Sequence, residues 1–211
     1  MAEKLKQLGK FKSLTPEINE AFHGWNGVSL KEGVLSQKLK ELMAVACAAT
    51  TGCEYCLDLH SKGAKRAGAT EAEVAEALML ATAGKAGAAF AHAANAFETF
   101  EETENDELFK KSYLAHTMKL RDLAPEDFKA FFNFTTKAGA EGELSVKEKE
   151  LILVAVSLIT GCPYCIDSHV KNAKKSGATK EEVAEAVFVA SALNAGSAFT
   201  KSPTALKNFD K

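Results

Sequence analysis

Proline, cysteine and net charge are all scarce in this chain of 211 residues. It has four prolines. No Asn-Gly or Asp-Gly pair stands between two strand-like runs, so the turn chemistry of a hairpin-rich fold is missing. Five cysteines are too few for a disulfide scaffold. A net charge of −2 offers no basic surface for nucleic acid or an anionic membrane. The longest apolar run, Leu151 to Ile159, falls far short of the ~20 residues that span a bilayer. The first residues, Met1-Ala2-Glu3-Lys4-Leu5-Lys6, lack the apolar core of a secretion signal. These absences lead us to expect a soluble, cytoplasmic protein with neither nucleic acid nor membrane as partner.

Against this background the cysteines stand out by position. Four of the five form Cys53-Glu54-Tyr55-Cys56-Leu57-Asp58-Leu59-His60 and Cys162-Pro163-Tyr164-Cys165-Ile166-Asp167-Ser168-His169. The offset from Cys53 to Cys162, 109 residues, also relates Leu14–Phe90 to Leu123–Phe199 without a gap, with about half the positions identical. The chain is therefore a tandem duplication, and we expect units of 1–104 and 105–211, joined by the acidic stretch from Glu98 to Lys111.

Helix signals dominate each copy. Thr70-x-x-Glu73, Ser145-x-x-Glu148 and Thr179-x-x-Glu182 read as capping boxes. Gly68 and Gly177 sit where left-handed helix ends belong. Pro16 and Pro125 suit a first helical turn. Leu151 to Ile159 could be a buried strand by pattern. Its counterpart, Leu42 to Thr50, is rich in Ala and Met, which favour helix. The expected fold is all-α.

Two thiols three residues apart, with an imidazole four residues further on, share one helix face. A thiol redox site needs this set: a nucleophile, a second sulfur to close a disulfide, and a base. Cys53, placed in the first helical turn after Gly52, would have its thiolate favoured by unpaired N–H groups. His60 could take the proton of Cys56, and His169 that of Cys165. Glu41 and Glu150 each precede the first cysteine by twelve residues, at the edge of an apolar run. They either orient the imidazole or are solvated residues of a first turn.

Glu-x11-Cys-x-x-Cys-x-x-x-His on a helical unit followed by Gly-Ala-Thr resembles the AhpD-like alkylhydroperoxidase branch of the carboxymuconolactone decarboxylase family. The resemblance implies a helical fold, trimers or hexamers, no cofactor, and reduction of organic hydroperoxides and hydrogen peroxide. It also implies roles: Cys56 and Cys165 attack the peroxide, Cys53 and Cys162 resolve the sulfenic acid, and His60 with Glu41 and His169 with Glu150 relay protons. In the family a dihydrolipoyl protein can be the reductant. Two-repeat members keep one active motif, whereas both are complete here. Decarboxylases of the wider family lack the cysteine pair, so their name is not carried over. Glu54 against Pro163 leads us to expect two different reduction potentials, since a carboxylate disfavours a neighbouring thiolate.

Two rival chemistries share these residues. A zinc site would need a fourth ligand beyond two Cys and one His. A thiol–disulfide carrier or redox sensor would oxidise reversibly without fast turnover. Cys47, which faces Val156 across the repeat, reads as a small buried hydrophobe. His23, His92 and His116 have no histidine counterpart and are assigned to surface or core. Tyr55 and Tyr164 are expected to pack beside the thiols, and Asp58 and Asp167 to be polar helix residues near the motif. Gly87, Phe90, Gly196 and Phe199 are expected to build packing between units.

Overall fold

A computed structural model describes residues 2–100 and 110–201. Eleven α-helices follow in order: α1 (Ala2–Gly9), α2 (Phe11–Leu14), α3 (Pro16–Leu30), α4 (Gln37–Thr51), α5 (Glu54–Arg66), α6 (Glu71–Phe100), α7 (Lys119–Leu123), α8 (Pro125–Gly139), α9 (Val146–Thr160), α10 (Pro163–Lys175) and α11 (Lys180–Lys201). A 3-10 helix, Lys111–Met118, precedes α7. No strand occurs among the described residues. Leu151 to Ile159 lies inside α9, so the ambiguous run is helical. The expected boundary at 104/105 lies outside the described residues.

The helix limits follow from local chemistry. The Ser36 hydroxyl accepts the Leu39 N–H at the start of α4. Ser145 and Glu148 form a complete capping box on α9. Thr70 with Glu73, and Thr179 with Glu182, bond reciprocally at the starts of α6 and α11. Helices α4 and α9 end on Gly52 and Gly161, with φ of 66° and 67°. Only a residue without a Cβ adopts that conformation cheaply. The turn there aims the chain directly into the cysteine motif.

Helices α4 and α9 pack against each other at the centre and are almost wholly buried. Their apolar faces point in all directions because α6 and α11 cover both of them. The copies therefore share one core, with Leu42, Met43, Leu80, Leu151, Ile152 and Val189 fully buried. Helix α11 is long and apolar enough by composition to cross a bilayer over Lys180–Thr200. Here it packs on α3, α4, α5 and α9.

Two matched ion pairs bind the copies together. The buried Lys40 ammonium reaches Glu185 of the other copy at 3.0 Å and donates to the Lys31 carbonyl at 2.7 Å. Lys149 reaches Glu76 at 3.2 Å and the Ala140 carbonyl at 2.6 Å. Glu185 also accepts the N–H groups of Val34 and Leu35, and Glu76 those of Glu143 and Leu144. Gly33 and Gly142 leave room for this approach: a Cβ there would stand 2.0 Å and 2.1 Å from the carboxylate. The lysines, glutamates and glycines recur at the 109-residue offset, but nothing in their spacing shows that the pairing crosses between copies.

Packing volumes are exchanged across the repeat as well. A Cβ on Gly84 would stand 2.6 Å from Val156. The equivalent residues are Leu193 and Cys47, both buried in the core. The smaller residue lies on the long helix in one case and on the central helix in the other. Cys47 is fully buried, and burial pushes its thiol up to about 12, as expected of a small hydrophobe.

Candidate active site

The structure moves the first cysteine of each motif one step from its expected place. Cys53 and Cys162 are the N-caps of α5 and α10 and not residues of the first turn. The Cys53 sulfur accepts the Cys56 N–H at 3.2 Å, and the Cys162 sulfur accepts the Cys165 N–H at 3.3 Å. A sulfur thus takes the role usually filled by Ser or Asp oxygen. Negative charge on that sulfur is favoured by the N–H groups and the helix dipole. Cys53 and Cys56 are joined as a disulfide, while Cys162 and Cys165 are in the reduced state. Each motif therefore brings its sulfurs within reach of each other.

Glu41 and Glu150 are not solvated. His60 Nδ1 lies 2.9 Å from Glu41 Oε2, and His169 Nδ1 lies 2.8 Å from Glu150 Oε2. The interaction fixes Nδ1 and leaves Nε2 of each ring to exchange protons. It also engages the carboxylate that a zinc site would have needed as its fourth ligand. Among the described residues no group of three or more His, Cys, Asp or Glu is arranged to hold a metal ion.

The second carboxylate oxygen is held differently in the two copies. Gln37 of the same helix donates to Glu41 at 3.2 Å, and Asn172 of the motif helix donates to Glu150 at 3.4 Å. The residue equivalent to Asn172 is Gly63, where a Cβ would stand 2.4 Å from Glu41. The residue equivalent to Gln37 is Val146. An amide has thus changed helices while keeping its partner, and sequence comparison alone reads both changes as drift.

Acidity and access pick out different sulfurs in the second motif. The interaction with Cys162, then burial, holds the Cys165 thiol well above the ordinary range. The Cys165 N–H, directed at the Cys162 sulfur at 3.3 Å, adds a donor to Cys162 alone. Yet Cys162 is fully buried, and Cys165 lines a cavity of about 420 Å³ together with His169. The reachable sulfur holds its proton more tightly than an ordinary thiol, so its reaction calls for a base, and His169 lines the same cavity.

That cavity is built by both copies. Helix α6 contributes Leu80, Ala83, Gly84 and Gly87, the 3-10 helix contributes Leu114, and α8, α9 and α10 supply the rest, including Phe131, Phe132 and Leu153. Tyr164 lines it too and packs with Cys162 and Tyr113, the latter on the 3-10 helix. The Cys53–Cys56 site is covered from the other side of the repeat. Thr200 of α11 places its hydroxyl 3.2 Å from the Cys53 sulfur and 3.9 Å from that of Cys56. Beside Thr200, Phe199 meets Phe11, Phe22 and His23, with centroids 4.9 to 5.6 Å apart. His23, expected at the surface or in the core, belongs to this aromatic cluster. The Phe90 and His92 side chains lie outside those described. Asp58 and Asp167 pair with Lys62 and Lys171 one turn on. Thr200 was invisible in the sequence because its counterpart, Ala91, has no hydroxyl.

Comparison with known proteins agrees with the duplication. The sequence profile of the carboxymuconolactone decarboxylase family matches twice, over residues 16–99 and 125–208. Protein 4 of the cox locus of Paracoccus denitrificans, of uncharacterised function, is 42% identical over 39% of this chain and 74% of its own length. The alkyl hydroperoxide reductase AhpD of Mycobacteroides abscessus is 49% identical over 20% of this chain, which spans only 25% of that protein. A crystal structure from Burkholderia xenovorans, described as a candidate gamma-carboxymuconolactone decarboxylase subunit, superimposes with a TM-score of 0.72. It covers 96% of this chain and 91% of its own at 23% identity, a likeness of fold.

Proposed function

Because the chain belongs to the carboxymuconolactone decarboxylase family and carries two AhpD-like copies in tandem, we propose that it is a thiol-dependent peroxidase. Its substrates in this reading are organic hydroperoxides and hydrogen peroxide. The observation that carries the reading is the convergence of Cys165 and the Glu150-held His169 on one cavity.

The chemistry runs in three balanced steps. His169 takes the proton of Cys165, and the thiolate attacks the outer peroxide oxygen of ROOH. The O–O bond breaks, Cys165 becomes a sulfenic acid, and the departing alkoxide leaves as ROH with the proton that His169 returns. Cys162 attacks the sulfenic sulfur, forms the disulfide and expels hydroxide, which leaves as water with the proton that Cys162 gave up. A dithiol then reduces the disulfide by exchange and is itself oxidised. Burial of Cys162 keeps peroxide from it and leaves it to resolve. Cys53, Cys56, His60 and Glu41 can run the same cycle on any oxidant that reaches them.

We take the reductant to be a small dithiol or a dihydrolipoyl protein in the reducing cytoplasm, with the chain acting in antioxidant defence. Exposed Leu14, Ile18, Val28 and Leu123 suit assembly into homo-oligomers, trimeric or hexameric. The test is peroxide consumption with dihydrolipoamide by the wild type and by a Cys56→Ser, Cys165→Ser double variant. Turnover in the first and none in the second is expected. A wild type whose thiols oxidise without turnover is a carrier or sensor instead.

A further inference from the structure

The cavity on Cys165 has a composition that the peroxidase chemistry does not require. Its volume of about 420 Å³ falls in the ~300–1,000 Å³ range of small-molecule pockets. Hydrogen peroxide needs far less. Its walls are mostly apolar, and among the described residues no Lys, Arg, Asp or Glu lines it. Lys171 and Lys175 line the neighbouring cleft behind Tyr164. A substrate carboxylate inside the cavity would find no Lys or Arg among its described lining residues, and desolvating it would cost several kcal/mol.

Room in the cavity comes from missing side chains. Gly84, Gly87 and Gly139 all line it. A Cβ on Gly87 or Gly139 would meet no atom within 4 Å, and neither residue has a positive φ. Neither glycine is demanded by backbone or by packing. Gly139 ends α8. The residue at its place in the first copy is Leu30, packed on the core, and that at the place of Gly84 is the buried Leu193. The sulfurs of the first copy lie beneath Thr200, and Cys56 is 4% exposed.

We propose that the two sites sort oxidants by size. The Cys165 site takes an uncharged hydroperoxide with an apolar body, and Gly139 and Gly87 are the specificity-determining residues that admit that body. The Cys56 site, where Thr200 lies over both sulfurs and Cys56 is 4% exposed, excludes it. This inference rests on the peroxidase reading for its substrate, but the pocket claim can be tested without turnover.

The experiment uses cumene hydroperoxide, hydrogen peroxide and cumyl alcohol on the full chain, with Gly139→Leu and Gly87→Leu variants checked for wild-type circular dichroism and melting. Leucine at either site should lower the ratio of kcat/KM for cumene hydroperoxide over hydrogen peroxide by about tenfold or more, as hydrophobic pockets discriminate size. In parallel, cumyl alcohol should slow carbamidomethylation of Cys165 in reduced wild type and lose that effect in both variants. An unchanged ratio, or alcohol protection that survives both leucines, overturns the proposal. Protection lost in the variants while the wild type turns over neither peroxide would uphold the pocket and refute the peroxidase reading.

Discussion

Above Cys165, the last helix of the first copy presents Gly84 and Gly87 and leaves a cavity. Above Cys53 and Cys56, the last helix of the second copy presents Thr200, with Phe199 in an aromatic cluster beside it. The reactive residues are the same in both places, and so is the His–Glu pair at 2.8 to 2.9 Å. The difference that governs access lies in the cover. The His169 side chain is 23% exposed, against 10% for His60. Duplication preserved the chemistry because sulfur, imidazole and carboxylate must meet within one copy. The covering helices come from the opposite copy and were free to diverge, so one motif served two environments.

The largest test of this contrast is on the nucleophiles. Cys165→Ser should lower cumene hydroperoxide turnover by at least about a thousandfold, as loss of a nucleophile does elsewhere. Cys56→Ser should lower it by less than about threefold. Equal losses, measured under steady state with excess dithiol, would make the two sites alike.

The next test probes where the copies match. Lys40→Met and Lys149→Met each leave a carboxylate of the other copy without its cation, and each should cost about 2–4 kcal/mol. Urea unfolding should give the same value for both within error. A clear inequality would mean that the shared core is not symmetric in energy.

A smaller effect is expected from the exchanged volumes. Gly84→Leu drives a side chain into Val156 and should cost about 1–3 kcal/mol. Adding Val156→Cys reproduces the Leu193 and Cys47 pairing of the other copy and should recover most of that loss. Additive costs in the double-mutant cycle would break the argument.

The smallest effect concerns acid. The hydrogen bond from Lys38 and the Thr70 N–H hold Glu73 below the ordinary carboxylate range. Burial pushes Glu182 up, but Lys147 and the Thr179 N–H together hold it lower on balance. A carboxylate with a lowered folded value adds stability above its unfolded value, about 4.3, and loses it as pH falls through the folded one. Melting temperature should therefore drop by a few degrees between pH 5 and pH 3, and Glu73→Gln and Glu182→Gln should each flatten that drop.

Much of the molecule could be read without coordinates. The 109-residue offset gave the duplication, the capping boxes gave the helix starts, and Gly68 and Gly177 marked left-handed ends because that backbone state excludes most side chains. Glu41 and Glu150 were legible as partners only to the extent that a carboxylate at the edge of an apolar run needs one. All of these signals are local: each depends on residues within one helix or one copy. The contacts that distinguish the sites are not. Thr200 against Cys53, Gly84 against Val156, Lys40 against Glu185 and the cavity beside Cys165 join residues that are far apart in the chain. They exist because α6 and α11 each bury an apolar surface on both central helices, and burial is non-directional. The sequence by itself determined an all-helical duplicated chain and the chemistry of its thiols. Only the tertiary structure decided which copy covers which site, and so which thiol a substrate can reach.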